Sequence, residues 1–407
     1  MDYGLIGKKL GHSFSKTIHE SIMNYEYILK ELNEEELDSF MKEKDFKAIN
    51  VTIPYKHEVI KYLDELDDSV KKIGACNVVV NKDGYLSGYN SDYFGLKSLI
   101  HKNSIVVKDK KCLILGSGGT SKTAYWVLKD LEAKEIIFVS RSKKEGCITY
   151  DEAYELSDVN IIVNTTPKGM YPNNDELIID ISKFDKLEGV VDVIFNPLRT
   201  RLIEQAISKG IKNAGGLYML VAQAVKAIEY FKDIKLDEKN IDEVYLKLLK
   251  EKENIVLIGM PGCGKSTIAK GLKGKLVDVD EYVKDKYKRS PKEIIEEDGE
   301  EAFRTIETAC VKEISKSSGL IISCGGGVIL REENIISLKQ NGIVIYIDRD
   351  LDKLAVSDDR PLSKNRDALK ALYEKRKDLY KKYADIRIEN NGCVKEVIEK
   401  INELICN

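Results

Sequence analysis

The chain has few histidines, tryptophans and prolines, and it has no paired cysteines. Its 407 residues include four histidines, all before residue 102, one tryptophan and seven prolines. The eight cysteines stand singly, and no CxxC pair is present. Isolated cysteines with so few histidines favour reduced, mostly buried thiols over a disulfide framework or a structural zinc site.

The chain also lacks an excess of charge of either sign and lacks long apolar runs. Its 65 basic and 68 acidic residues give a net charge of −3, so no general positive field attracts nucleic acid or a membrane surface. No stretch approaches the ~18 apolar residues that span a bilayer, and the start, MDYGLIGKKLGHS, has no signal-peptide core. We therefore expect small-molecule partners, neither nucleic acid nor membrane as a partner, and a cytoplasmic location; the oligomeric state stays open.

Length and pattern predict three α/β domains, since domains usually run to about 100–200 residues. Residues 1–98 mix short strands with helices, and helices at about 213–250 are expected to complete that domain. Residues 99–212 alternate buried apolar strands with helices, which predicts a parallel, doubly wound sheet of Rossmann-like type. A charged helical segment ends near 252, and the strand–loop–helix pattern restarts in the domain predicted over 254–407.

A phosphate-binding loop opens the third domain. The stretch GMPGCGKST, 259–267, fits GxxxxGK[ST] between a predicted strand and a predicted helix. In such a loop Lys265 reaches the nucleotide phosphates and Ser266 can ligate Mg²⁺. The predicted ATP-binding residues are Gly262, Cys263, Gly264, Lys265, Ser266 and Thr267.

The motifs that follow this loop resemble those of shikimate kinase, in the family's order: VDVDEY, EEAFRTIE, CGGGV, DDRPL and EKRKDLY. The resemblance implies an α/β kinase with a parallel sheet and a lid. It assigns Asp278 to the magnesium shell and Asp280 to the acceptor hydroxyl. Substrate binding would fall to Arg304, Gly326 and Arg376, and the lid residue Arg360 would bind ATP and stabilise the transferring phosphoryl group.

A second glycine-rich turn, GSGGTSK, lies at 116–122, and the strand after it ends in VSRS. The turn predicts cofactor contacts at Gly116, Gly118, Gly119 and Thr120. NAD-specific sites usually carry an acidic residue after that next strand, whereas this chain has Ser140 and Arg141. An arginine there favours the 2′-phosphate of NADP(H).

Further motifs up to about residue 245 resemble shikimate dehydrogenase: LGHSFSKTIHE, NVTIPYK, GACNVVV, GYNSDYFG, NTTPKGM, DVIFNPLRT and GGLYMLVAQA. The resemblance implies a catalytic pair, Lys56 and Asp92. The implied substrate-binding residues are Ser13, Ser15, Thr52, Asn77 and Gln223, and the nicotinamide would lie near Thr165, Met170, Gly216 and Met219. His12 and His57 flank these motifs, and we expect both to be structural or solvent-facing.

Together the motifs predict a bifunctional enzyme of aromatic amino-acid biosynthesis with two separate active sites. The first would reduce 3-dehydroshikimate to shikimate with NADPH, and the second would phosphorylate shikimate with ATP and Mg²⁺. Two alternatives stay open at this point: a ligand sensor that has kept both pockets without the chemistry, and a quinate-using dehydrogenase fused to a kinase.

Overall fold

The computed structural model describes residues 1–11, 14–355 and 366–406, and its backbone divides into two units. Unit 1 consists of Met1–Asn196 and Gln205–Lys247, and unit 2 consists of Pro197–Glu204 and Leu248–Asn407. Within the described ranges, no helix has both the length and the apolar character needed to cross a membrane.

The first sheet of unit 1 is mixed. Its strands lie in the order β2-β1-β3-β5-β6-β4, with β1 parallel to β2 and β3, and β5 antiparallel to β3 and β6. A core of buried apolar side chains, including Ile6, Ile49, Val79 and Leu86, packs on this sheet. The elements are β1 (Tyr3–Gly7), α1 (Ser15–Ile22), β2 (Tyr27–Glu31), α2 (Glu34–Glu43), β3 (Ala48–Val51), β4 (Glu65–Leu66), α3 (Asp68–Ile73), β5 (Val78–Lys82), β6 (Tyr85–Tyr89) and α4 (Ser91–Lys102).

The second sheet of unit 1 is parallel, as the buried apolar runs predict. Its order is β12-β11-β10-β7-β8-β9, so the chain reverses its direction of winding at β7, and the glycine turn follows that strand. The elements are β7 (Lys111–Leu115), α5 (Gly119–Asp130), β8 (Glu135–Ser140), β9 (Cys147–Thr149), α6 (Tyr150–Tyr154), β10 (Ile161–Asn164), β11 (Gly189–Asp192), α7 (Arg201–Ser208), β12 (Lys212–Gly215), α8 (Leu217–Lys232) and α9 (Lys239–Lys252). Ligands bind at such switch points in open α/β sheets.

The sheet of unit 2 is also parallel, with the order β14-β15-β13-β16-β17. The phosphate loop follows the central strand β13, whose Val256, Leu257 and Ile258 are fully buried. The elements are β13 (Asn254–Ile258), α10 (Lys265–Gly271), β14 (Lys275–Asp278), α11 (Val279–Tyr287), α12 (Pro291–Asp298), α13 (Glu300–Ile314), β15 (Leu320–Ser323), α14 (Glu332–Asn341), β16 (Gly342–Asp348), α15 (Arg366–Tyr383), β17 (Ile386–Glu389) and α16 (Val394–Cys406).

Two local features differ from the predicted pattern. Residues 212–215 form strand β12 of the second sheet, so the helical part expected from about 213 begins at Leu217. Helix α8 then packs against the first sheet through Ala227 and Phe231.

Residues 197–204 group with unit 2, although the sequence pattern puts them inside the nucleotide-binding domain. Within unit 2, the Arg199 guanidinium donates to Lys339 O at 3.1 Å and to Gly342 O at 3.2 Å, and it pairs with Glu253. Lys339 lies in the last turn of α14, where carbonyls have no partner within the helix itself. The predicted domain limits stay predictions.

Candidate active sites

The first candidate site is a cavity of about 570 Å³ in unit 1, beside the end of β3. The described residues predicted to bind or transform the dehydrogenase substrate all line it: Ser15, Thr52, Lys56, Asn77, Asp92 and Gln223. Ser13 and His12 lie outside the described residues. The cavity therefore gathers side chains that are spread over more than 200 positions of the sequence.

Lys56 and Asp92 form an ion pair at one wall of this cavity. Lys56 Nζ donates to Asp92 Oδ2 at 2.5 Å, and the side chains are 25% and 18% exposed. Asp92 lies in the first turn of α4, which begins after the capping residue Asn90. The pair is thus held by a helix start and remains accessible from the cavity, as a proton donor for a bound substrate must be.

A buried hydrogen-bond network orders the amides in the same cavity. Asn77 Nδ2 donates to Ser91 Oγ at 3.1 Å, the Ser91 N–H donates to Asn77 Oδ1 at 2.7 Å, and Ser91 Oγ donates to Gln223 Oε1 at 3.3 Å. Asn50 extends the network through Asn77 O. The sequence analysis missed Ser91 and Asn50, although both stand inside the quoted motifs GYNSDYFG and NVTIPYK.

Three residues predicted to contact the cofactor also line the first cavity: Thr120, Gly216 and Met219. Gly216 accepts no side chain, because a Cβ there would lie 2.2 Å from Val193 O. These residues connect the predicted substrate cavity to the start of α5, where the cofactor is expected.

The second cavity of unit 1, of about 790 Å³, contains most of the other predicted cofactor residues. Those that line it are Gly116, Gly118, Ser140, Arg141, Thr165 and Met170. Gly116 has φ +108°, and a Cβ there would lie 2.9 Å from Thr166, so both conformation and space require glycine. Gly119, the first residue of α5, lies outside both sets of lining residues and faces His57 Nε2.

Lys144 also lines this cavity, and the sequence analysis missed it. It lines the second cavity beside Arg141, and its Nζ donates to Ser117 Oγ at 3.4 Å. The signal was available, because two lysines directly follow the SRS stretch. Two basic residues instead of one therefore line the cavity that contains Ser140.

The third candidate site is a cavity of about 320 Å³ in unit 2. From the phosphate loop it is lined by Gly262, Gly264, Lys265, Ser266 and Thr267, whereas Cys263 is fully buried beneath the loop. Lys265 Nζ donates to Gly259 O at 2.9 Å and to Met260 O at 3.0 Å. The Lys265 side chain thus lies against the phosphate loop, and its ammonium group donates to two backbone carbonyls of that loop.

Ser266 and Asp278 lie together as the predicted magnesium ligands. Ser266 Oγ donates to Asp278 Oδ2 at 3.1 Å, and Asp278 also caps α11 by accepting from the Asp280 N–H. Among the described residues no three His, Cys, Asp or Glu side chains form a metal-binding group. Magnesium usually keeps several waters and takes one or two protein ligands beside substrate phosphates, so this pair of oxygens fits it.

Asp280 has an environment suited to a base. Burial, and then the nearby carboxylates of Asp278 and Glu307, raise the pKa of Asp280 to about 6, while Lys265 and Arg304 act in the opposite direction. Burial also raises the pKa of the Glu307 carboxyl. A carboxyl with a pKa near 6 is still mostly ionised at neutral pH and accepts a proton more readily than a surface aspartate.

The glycine triplet at 325–327 leaves room for three neighbouring groups. A Cβ at Gly325 would lie 2.9 Å from Asp280 Oδ1, one at Gly326 would lie 2.8 Å from Pro261, and one at Gly327 would lie 2.3 Å from the Arg304 guanidinium. A side chain at any of the three positions would therefore displace the carboxylate, the phosphate loop or the arginine from its present place.

Two buried arginines complete the third site. Arg304 donates to Glu307 at 2.7 Å and to Glu300 at 2.9 Å, and Arg376 donates to Gly326 O at 3.1 Å. Both arginines line the cavity with Asp280 and Gly326. Arg360 falls outside the described residues.

Family models match both parts of the chain. Residues 261–406 match a model described as shikimate kinase, and residues 5–79 match one described as the shikimate dehydrogenase substrate binding domain. The kinase match begins inside the phosphate loop, and the dehydrogenase match covers β3 and the segment after it, which carries Thr52 and Lys56.

Curated relatives and solved structures match the N-terminal 60% of the chain. A shikimate dehydrogenase (NADP(+)) of Clostridium beijerinckii is 38% identical over 259 residues, covering 60% of this chain and 96% of that protein. A chorismate mutase/shikimate 5-dehydrogenase fusion protein from Clostridium acetobutylicum has a TM-score of 0.57 at 39% identity, covering 60% of this chain and 96% of that one. A Thermus thermophilus shikimate 5-dehydrogenase in complex with NADP(H) and shikimate has a TM-score of 0.55 at 25% identity, covering 61% and 99%.

Proposed function

We propose a role for each candidate residue of this chain. The chain belongs to the shikimate dehydrogenase family and carries a shikimate kinase domain at residues 261–406. It is a bifunctional enzyme of the shikimate pathway, an NADP-dependent oxidoreductase joined to a phosphotransferase that uses ATP and Mg²⁺. The two reactions proposed are reduction of 3-dehydroshikimate to shikimate and phosphorylation of the shikimate 3-hydroxyl. The single observation that carries the proposal is the gathering of each predicted residue set into its own cavity.

In the dehydrogenase site, Lys56 donates the proton to the substrate oxygen while hydride arrives at carbon. NADPH supplies that hydride when it is bound. Asp92 lies 2.5 Å from the lysine and orients it, because a charge-assisted hydrogen bond of this kind is directional. Thr52, Asn77 and Gln223 hold the ring hydroxyls, and Ser13 and Ser15 hold the carboxylate.

Cofactor preference follows from charge at the second cavity. Arg141 and Lys144 line this cavity with Ser140, where we propose that a 2′-phosphate binds, and Glu176 is the only acidic side chain among the described residues that line it. Glu176 also lines the cavity, and Lys168 holds it in an ion pair at 3.2 Å. We therefore propose a preference for NADPH over NADH.

In the kinase site, Asp280 accepts the proton of the attacking hydroxyl. Arg304 and Arg376 bind the substrate carboxylate, for which planar guanidinium groups are well suited. Lys265 binds the phosphates, and Ser266 and Asp278 would hold Mg²⁺, which neutralises phosphate charge when it is bound. Arg360 is proposed to stabilise the transferring group.

The remaining assignments are proposals of the same standing. The domain limits proposed are 1–98 with helices at about 213–250, then 99–212, then 254–407. A cytoplasmic location and the absence of nucleic-acid and membrane partners are also proposed. The Lys56–Asp92 hydrogen bond and the raised pKa of Asp280 disfavour the sensor alternative. A protein that only binds these ligands needs neither feature.

Two assays on the purified full-length chain test the proposed function. The first follows NADPH oxidation with 3-dehydroshikimate, and the second follows ADP release with shikimate and ATP. Binding of both substrates without turnover would support the sensor. Faster oxidation of quinate than of shikimate, with NAD⁺ preferred over NADP⁺, would support the quinate dehydrogenase.

A further inference from the structure

Asn390 is a fully buried polar residue directly after β17, next to the phosphate loop. Its backbone N–H donates to Asp348 O at 2.7 Å, at the end of β16. Because β13, β16 and β17 are neighbouring parallel strands, their carboxyl ends lie at one edge of the sheet. Strand pairing thus brings Asn390 to a loop that precedes it by 127 residues.

The side chain of Asn390 holds a carbonyl of that loop. Its Nδ2 donates to Cys263 O at 2.7 Å, and its Oδ1 has no hydrogen-bond partner within the described parts of the chain. A carbonyl can only accept, so the amide must present its nitrogen here. A buried oxygen without a hydrogen-bond partner costs free energy. The hydrogen bond that Nδ2 donates to Cys263 O offsets that cost.

The contact fixes the orientation of one peptide group in the loop. In a trans peptide the C=O and the following N–H point to opposite sides, so holding Cys263 O toward Asn390 turns the Gly264 N–H away from it. Gly264 has φ +99° and, lacking a Cβ, is free to change conformation; Asn390 Nδ2 lies 2.8 Å from the place where a Cβ would be. The Cys263–Gly264 peptide group therefore depends on the hydrogen bond from Asn390 to keep one orientation.

We propose that Asn390 is a positioning residue of the kinase, one that fixes the Cys263–Gly264 peptide so that the Gly264 N–H faces the nucleotide phosphates. Asn390 acts through the loop and touches neither substrate. Donors that are oriented in advance stabilise transferring phosphate best, so a peptide free to turn weakens nucleotide binding and slows transfer. The proposal rests on the kinase activity proposed above.

The neighbouring residue Asn391 gives a matched control. Asn391 uses its oxygen, since the Asp350 N–H donates to Asn391 Oδ1 at 2.9 Å. At position 391, aspartate keeps the oxygen that accepts this hydrogen bond. At position 390, aspartate replaces the donating Nδ2 group with an oxygen of similar size that cannot donate. The experiment measures steady-state kinase kinetics for both substrates, ADP affinity by calorimetry, and dehydrogenase activity of the same chains, for Asn390→Asp, Asn390→Ala and Asn391→Asp.

We expect Asn390→Asp to lower kcat/KM for ATP at least about tenfold and to weaken ADP binding by a similar factor, the size expected for a buried carbonyl that loses its donor. KM for shikimate and the dehydrogenase rate should stay within about twofold, the scatter of such measurements, and Asn391→Asp should match the wild type. Asn390→Ala should show the same pattern without an added charge. Unchanged kcat/KM for ATP in both Asn390 variants, or a raised KM for shikimate with unchanged ADP affinity, would overturn the proposal. A wild-type chain without kinase activity would refute the proposed function itself.

Discussion

The raised pKa of Asp280 predicts how the kinase responds to acid. If Asp280 must be ionised to accept the hydroxyl proton, kcat/KM for shikimate at saturating ATP follows its ionised fraction in the enzyme before shikimate binds. With a pKa of about 6, that fraction is about nine tenths at pH 7 and about one tenth at pH 5. We therefore expect an approximately tenfold fall in kcat/KM between pH 7 and pH 5.

The assay is direct detection of ADP at saturating ATP, with shikimate varied below its KM, from pH 5 to 8. Asp280→Asn is the matched variant, since it keeps the size of the side chain and cannot ionise. It should be slower by ~10²-fold or more at pH 7 and should lose the acid limb of the profile. A wild-type profile that stays flat down to pH 5, or an Asp280→Asn variant with the same acid limb, would refute the assignment of Asp280 as the base.

Three further substitutions test the other roles. Lys56→Ala should lower the dehydrogenase rate by ~10²-fold or more and leave the kinase unchanged, because the general acid is lost in one site only; near-normal ketone reduction would remove Lys56 from the mechanism. Arg141→Ala should raise KM for NADPH about tenfold and leave KM for NADH nearly unchanged, one charge-assisted contact being lost; Lys144→Ala should act in the same direction, and equal losses for both cofactors would contradict the 2′-phosphate role. Arg376→Ala should raise KM for shikimate while ADP affinity persists; an unchanged KM would show that the carboxylate is bound elsewhere.

Strand ends and glycine turns could be predicted from the sequence because their causes are local. The apolar run before GMPGCGKST forms β13, and the run before GSGGTSK forms β7, each at the centre of a parallel sheet. Family resemblance then assigned Lys56 and Asp92 to one site, and the structure places them 2.5 Å apart.

Lys144, Ser91 and Asn50 were missed although they lie in or next to quoted motifs, whereas two other missed features depend on contacts between distant residues. No local pattern connects Asn390 to Cys263, since that contact follows from the order of strands in the third sheet. The NPLRT segment carries a dehydrogenase motif, yet Arg199 takes its hydrogen bonds within unit 2. A sequence pattern describes what a segment can form, whereas its partners are set by the folded arrangement.

The central claim, that one chain performs two consecutive reactions in two separate sites, is tested most directly by a single coupled assay. Purified full-length protein receives 3-dehydroshikimate, NADPH, ATP and Mg²⁺, and shikimate and shikimate 3-phosphate are measured over time beside Lys56→Ala and Lys265→Ala. We predict that the wild type forms shikimate 3-phosphate, that Lys265→Ala stops at shikimate, and that Lys56→Ala forms the phosphate only when shikimate is supplied. Loss of both activities from either single substitution in a folded protein, or no phosphate from the wild type, would contradict the account.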